Sequence, residues 1–287
     1  MMSDTTGYQT SLNNGPGDIT EESISTFDGE IIEYHMRGNG NTTLIFIHGW
    51  CSNRSFWREQ LDVFADKYRV VAIDLPGHGS SSRTRKEWSL SSFADDVIAL
   101  VESLNLKRVV LIGHSMGGLV WLEVAQRLPK RIIGVIGVDT ISDVENEDQP
   151  DLMERIITAF KADFEGTMKA SIPRLFSQNA TPELVLWAID NSVNADHVMA
   201  LSIIREVSGL DEKKLLSAVD VPVRVVYSAK SNSSEAYEFV KTNSKYADFK
   251  AVFVQGVGHF LHLENPEKVN HHLRIFLTEL EQSGTAN

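Results

Sequence analysis

A short, unbroken apolar run rich in β-branched residues recurs along this chain, at residues 43–47, 69–73, 108–112, 132–138, 223–227 and 251–254. Such a run does not alternate apolar with polar, so as a strand it must be buried on both faces. Between most of these runs lie stretches of helical period. In one of them Phe93, Val97, Val101 and Leu104 share a face. Strand alternating with helix from residue 43 to residue 254 dictates an α/β architecture: a mostly parallel sheet with helices on both faces.

The chain has 287 residues, 42% of them apolar. At about 100–200 residues per domain, that is one large domain or a domain carrying an insertion. A lone cysteine, Cys51, excludes a scaffold of internal disulfides. Lys plus Arg number 27 against 39 Asp plus Glu, a formal charge of −12. That balance argues against a nucleic-acid binder or a polybasic membrane-surface protein, and reads as solubility. Residues 1–18 are polar, lack the apolar stretch of a signal peptide, and read as a disordered tail. No run of about 18 apolar residues suggests a membrane span. The expectation is a cytoplasmic protein whose partner is a small-molecule substrate; its oligomeric state is not legible.

Gly29 separates two short extended runs, 24–27 and 31–36, as a hairpin would. Residues 143–218 break the alternation, with no buried-strand run and at least three helical ones. Met153, Ile156, Ile157, Phe160 and Phe164 form a stripe expected to stop at Gly166. Thr181-Pro182-Glu183 opens another helix, with Thr as cap and Pro in the first turn. Either Asn194 or Asp196 opens a third, carrying Val198, Met199, Leu201, Ile203 and Ile204. The division expected is a core of 19–142 and 219–287 with an all-helical lid, 143–218, inserted after the sixth strand.

The chemistry concentrates in Gly113-His114-Ser115-Met116-Gly117-Gly118, which follows the strand ending at Ile112 and opens the helix 119–128. This is Gly-x-Ser-x-Gly in a strand–turn–helix context. A serine on so sharp a turn sits in strained backbone, and its neighbours two residues away must lack bulk. Its hydroxyl then stands free at a helix N-terminus, where N–H groups and the dipole favour negative charge. An ordinary glycine-rich turn is the bland alternative, and the context argues against it. Ser115 as nucleophile needs a base. Of nine histidines, His259 has the best address, in Gly256-Val257-Gly258-His259-Phe260 just past the last strand. His262 is the nearest competitor, but lies where the chain enters the next helix.

With these pieces in hand the sequence resembles the α/β-hydrolase family. The matching motifs are His48-Gly49-Trp50, Asp74-Leu75-Pro76-Gly77-His78-Gly79, the Gly113–Gly118 turn and Gly258-His259, in that order. The resemblance covers roughly 24–142 and 219–280. It implies an eight-stranded sheet, Ser115 as nucleophile, His259 as base, and an oxyanion hole from the backbone N–H groups of Trp50 and Met116. It implies structural roles for His48, His78 and His114.

The acid departs from the commonest family pattern. The stretch after the seventh strand, Val226 to Ser234, holds no carboxylate before Glu235. The sixth strand ends in Val138-Asp139, and a minority of the family resembles that arrangement. Asp139 is the leading candidate and Glu235 the alternative; a loop-capping carboxylate is the bland reading of Asp139. Cys51 reads as a small packing residue. Phe160, Phe164, Phe176, Trp187 and Met199 either line an apolar substrate pocket or form the lid's own core. No cluster has metal-ligand spacing, and no cofactor is implied. The function expected is cofactor-free hydrolysis of a small carboxylic ester or related carbonyl compound through an acyl-enzyme. A serine nucleophile speaks against dehalogenase and epoxide hydrolase chemistry, where relatives use aspartate. Cofactor-independent dioxygenation by a His–Asp pair is an alternative, as is a lidded small-molecule receptor. An unperturbed histidine titrates at about 6.5, so activity depending on a neutral His259 should fall on acidification through that region.

Overall fold

The computed structural model describes residues 19–145, 150–229 and 234–283. Strands β1 (Thr20–Ser25), β2 (Ile31–Arg37), β3 (Thr43–Ile47), β4 (Arg69–Ile73), β5 (Val109–His114), β6 (Ile132–Val138), β7 (Val223–Ala229) and β8 (Phe249–Gln255) form one sheet. Their spatial order is β1-β2-β4-β3-β5-β6-β7-β8. The pairs β1–β2 and β2–β4 are antiparallel and all other neighbours are parallel. The helices, in chain order, are α1 (Arg58–Ala65), α2 (Leu90–Ser103), α3 (Met116–Arg127), α4 (Pro150–Ala162), α5 (Phe164–Leu175), α6 (Pro182–Ser192), α7 (His197–Val207), α8 (Glu212–Ser217), α9 (Ser234–Asn243), α10 (Leu261–Glu264) and α11 (Pro266–Ser283).

The unbroken apolar runs are explained by two separate cores. Ile45, Ile47, Val71, Leu111 and Val135 turn to one face, where they meet Phe93 and Val97 of α2 and Leu119 of α3. Leu44, Phe46, Val70, Val110 and Ile136 turn to the other, against Phe64 of α1 and Leu273 and Leu277 of α11. Each such aliphatic side chain, fully buried, contributes about 1.5–3 kcal/mol. The hairpin forms as expected, but β1 begins at Thr20 rather than Ile24. Its extra residues pair with β2 from Thr20↔Met36 onward. A polar edge strand is held by ladder hydrogen bonds and needs no apolar pattern.

Among the described residues, five helices, α4 to α8, intervene between β6 and β7. The stripe expected to run to Gly166 is broken earlier. Asp163 caps α5 by accepting from the Gly166 N–H at 2.9 Å, so Phe160 and Phe164 belong to different helices. Asp196, not Asn194, caps α7, accepting from the Met199 N–H at 2.8 Å. Thr181 caps α6 as its sequence suggests. This helical layer sits on the loops beyond the carboxyl ends of the strands. Trp50 Nε1–H donates to the Ala200 carbonyl (2.9 Å) and the Asp196 N–H to that of Gly77 (2.8 Å). Among the described residues, no helix is long and apolar enough to cross a membrane. The expected tail, 1–18, lies outside the described residues.

Candidate active site

Ser115 lies at the junction of β5 and α3 with φ 50° and ψ −119°. For a residue with a side chain this conformation costs of order 1–3 kcal/mol, and the surroundings must impose it. They do so through the main chain. The Ser115 N–H donates to the Val138 carbonyl at 3.1 Å, while its own carbonyl accepts from the Gly118 N–H at 2.9 Å and from Thr140 Oγ1 at 2.6 Å. A Cβ on Gly117 would sit 2.4 Å from the Ile47 carbonyl oxygen, so only glycine lets α3 start this close to β3. Met116 is the first residue of α3, and its N–H therefore has no intrahelical acceptor. Thr140 carried no motif in the sequence; its one signal is adjacency to Asp139.

Asp139 ends β6 next door, also at positive φ (47°). Its N–H continues the parallel ladder to the Val226 carbonyl at 2.9 Å. One carboxylate oxygen accepts from the Ser228 N–H at 2.7 Å, and the other from His259 Nδ1–H at 2.7 Å. Both carboxylate oxygens therefore have a donor, which fixes the orientation of the side chain. With Nδ1 carrying the proton, Nε2 of His259 holds the free lone pair. Glu235 falls in the first turn of α9, and its side chain lies outside those described.

Four other histidines, His48, His78, His114 and His262, are distinguished from His259 by burial. His262 is fully buried, packed on Trp57 (ring centroids 4.7 Å) and His114 (4.5 Å), with no partner for either ring nitrogen. Burial, then the neighbouring His259 and Arg58, push its pKa down to about 3. His114 is likewise held well below its usual range, first by burial and then by His262 and His259. Its Nε2–H donates to the His259 carbonyl at 2.9 Å. His48 accepts from the Leu75 N–H and donates to the Gly49 carbonyl; His78 accepts from the Cys51 N–H and donates to that of Pro76. Both therefore tie the loop after β3 to the loop after β4. Cys51 is buried, and burial pushes its thiol well above the usual range.

Ser115, Met116, Asp139 and Trp50 line one side of a cavity of about 530 Å³. Leu119, Ile203, Ile204, Val207, Tyr227 and Phe239 make most of the rest apolar. Of the two readings of the aromatic residues in 143–218, pocket lining or the lid's own core, packing is the one they follow. Phe160 and Phe164 lie behind the wall, their rings 5.1 and 6.5 Å from that of Trp50. Trp187 packs on Phe56 at 4.7 Å beneath the Arg58 guanidinium. Phe176 packs on Phe260 at 4.9 Å. Their large apolar area is consumed in docking the inserted helices, which leaves the cavity to the aliphatic edge of α7. Ile203 and Ile204 stood in the apolar stripe of that helix, but nothing in the stripe separates a lining residue from a packing one. Among the described residues, no group of three His, Cys, Asp or Glu side chains is arranged to hold a metal ion.

The comparison with known proteins agrees with this architecture. The sequence profile of the alpha/beta hydrolase fold matches residues 42–266, and the chain belongs to that family. It is similar to the (E)-2-((N-methylformamido)methylene)succinate hydrolase of Acinetobacter baylyi, with 26% identity over 90% of this chain and 98% of that one. A shorter stretch, 40% of this chain, is 37% identical to the dihydrolipoyllysine-residue acetyltransferase component of an acetoin cleaving system from Cupriavidus necator; it spans 30% of that protein's length. Among solved structures, a thermophilic esterase from Thermogutta terrifontis superposes with a TM-score of 0.78 at 25% identity, over 91% of this chain and 99% of that one.

Proposed function

We propose that the protein is a cofactor-free serine hydrolase acting on a small carboxylic ester or related carbonyl compound. The observation that carries this reading is the 2.7 Å bond between His259 and Asp139 at the same sheet rim as the strained Ser115. In the proposed cycle Ser115 Oγ attacks the carbonyl carbon while His259 Nε2 takes the hydroxyl proton. Asp139 orients the imidazole and stabilises its protonated form. The N–H groups of Trp50 and Met116 hold the developing oxyanion, helped by the N-terminus of α3. Collapse breaks the bond to the leaving alcohol, which receives the proton from His259. Water, deprotonated by the same histidine, then releases the acid and restores Ser115.

The share of the whole chain seen in the hydrolase and esterase relatives supports this class. Residues 143–218 act in this reading as a lid on the core formed by 19–142 and 219–287. The test is a panel of chromogenic esters of graded acyl length together with a fluorophosphonate probe. Turnover and labelling of the wild type, both abolished in Ser115→Ala, are expected. Full turnover by Ser115→Ala would falsify the mechanism.

A further inference from the structure

The loop that carries His259 is not held by the sheet alone. The His259 N–H donates to the carbonyl of Leu175, the last residue of α5, at 2.6 Å. A Cβ on Gly258 would lie 2.3 Å from that same carbonyl oxygen, so the loop and the inserted helix are in close main-chain contact. Glu264, in α10, then clasps both. Its Oε1 accepts from the Gly258 N–H at 2.8 Å. The carboxylate also accepts from the Ser177 N–H, at 3.2 Å to Oε2, and from the Ser177 hydroxyl. Asn179 adds a bond from its Nδ2 to the Gly256 carbonyl at 3.4 Å. One carboxylate thus joins the residue before the histidine to the corner of the insertion that holds the histidine's own N–H.

The geometry points to Glu264 as a positioning residue for His259, working through Gly258 and Ser177 and making the base dependent on the docked α5 corner. It does not line the cavity and touches no reacting atom. This rests on the hydrolase reading above. The clasp is matched to a carboxylate, whose two oxygens take four donor contacts from three groups. The Ser177 N–H is shared between the two oxygens, at 3.3 Å to Oε1 and 3.2 Å to Oε2. Glutamine has the same shape but one accepting oxygen, so its NH2 group would either face the Gly258 N–H, donor against donor, or leave one oxygen to hold both N–H groups and replace the carboxylate's acceptance of the Ser177 hydroxyl. A shift of the loop by about 1 Å at the base is enough to cost about 100-fold in rate without altering the substrate pocket.

The experiment compares wild type, Glu264→Gln and Ser177→Ala by steady-state kinetics on p-nitrophenyl butyrate and by the rate of fluorophosphonate labelling. In labelling, a bond forms between Ser115 Oγ and phosphorus, the P–F bond breaks, fluoride leaves and the hydroxyl proton passes to His259. Glu264→Gln should lower kcat and the labelling rate together by about 10- to 100-fold, with KM within about twofold of wild type. Ser177→Ala, which keeps its backbone N–H, should lower both a few-fold. Unchanged kcat in Glu264→Gln, or a rise in KM alone, overturns the assignment. If Glu264→Gln does not fold, Ser177→Ala decides: a fall in kcat at constant KM supports the clasp and an unchanged kcat overturns it. A wild type that neither turns over nor labels removes the hydrolase reading itself, and this inference with it. A wild type that labels at the same rate as Glu264→Gln removes the inference alone.

Discussion

The two regions that meet at the cavity are built by different means. On the sheet rim, Ser115 and Asp139 are set by main-chain bonds that continue the β5–β6–β7 ladder past the last strand residue. On the opposite side, the inserted helices contribute the aliphatic side chains of Ile203, Ile204 and Val207, which line the cavity by packing. A ladder fixes atoms to a register, whereas aliphatic packing tolerates substitution of similar volume. The rim is therefore suited to chemistry that fails when atoms are misplaced, and the insertion to the choice of what enters.

The sharpest way to break this contrast is at the rim. Ser115→Ala and His259→Ala should each reduce kcat on a reactive ester by about 10⁴-fold or more, and Asp139→Asn by about 10³–10⁴-fold. Glu235→Gln should stay within about twofold of wild type in the same assay; a large loss there would move the acid to α9. Next in size is the rim's dependence on glycine. Gly117→Ala forces a methyl group against the Ile47 carbonyl and should cost about 3 kcal/mol in urea denaturation.

In the insertion the expected effect is smaller and of another kind. Ile204→Ala should shift the preferred acyl chain upward, by about tenfold in the ratio of kcat/KM between long and short esters. A uniform drop across the series would show that α7 supports the rim instead of shaping the pocket.

The last effect is a pH dependence of stability, small per pH unit, and comes from the buried histidine behind the rim. His262 is neutral in the folded state, its pKa depressed to about 3. Between that value and an unfolded value of about 6.5, the unfolded chain binds the extra proton. Its contribution is therefore complete above about 6.5 and is lost as pH falls, by about 1.4 kcal/mol per pH unit. His262→Phe removes the linkage while keeping an aromatic ring against Trp57. The stability difference between wild type and variant, measured by denaturation at successive pH values, should change by about that amount per unit. A pH-independent difference would show that this imidazole does not titrate on unfolding.

The same contrast governs what the sequence discloses. The β3, β5 and β6 runs are legible because burial on both faces leaves no choice but unbroken apolar residues. The Ser115 turn is legible because strain demands glycine at fixed offsets. Asp139 could be put at a strand end, yet its pairing with His259 across 120 residues is a product of tertiary geometry. The first residues of the polar β1 are not legible because edge pairing uses backbone groups, which carry no side-chain signature. The choice between lining and lid core for Phe160, Phe164 and Trp187 is not legible in the sequence, because large rings serve docking as well as lining; the fold puts them in the packing. Glu264 carries no sequence signal of its own; only the folded chain brings Gly258 and Ser177 to it.

Cys51 lends itself to a practical use. It is the one cysteine of the chain, fully enclosed, with a thiol that burial keeps protonated. Thiolate-selective reagents should pass it by in the native protein. A cysteine introduced at an exposed position of the insertion, such as Val198, would then be the sole reactive thiol. A fluorophore attached there would mark the inserted helices alone, with no native residue to be removed first.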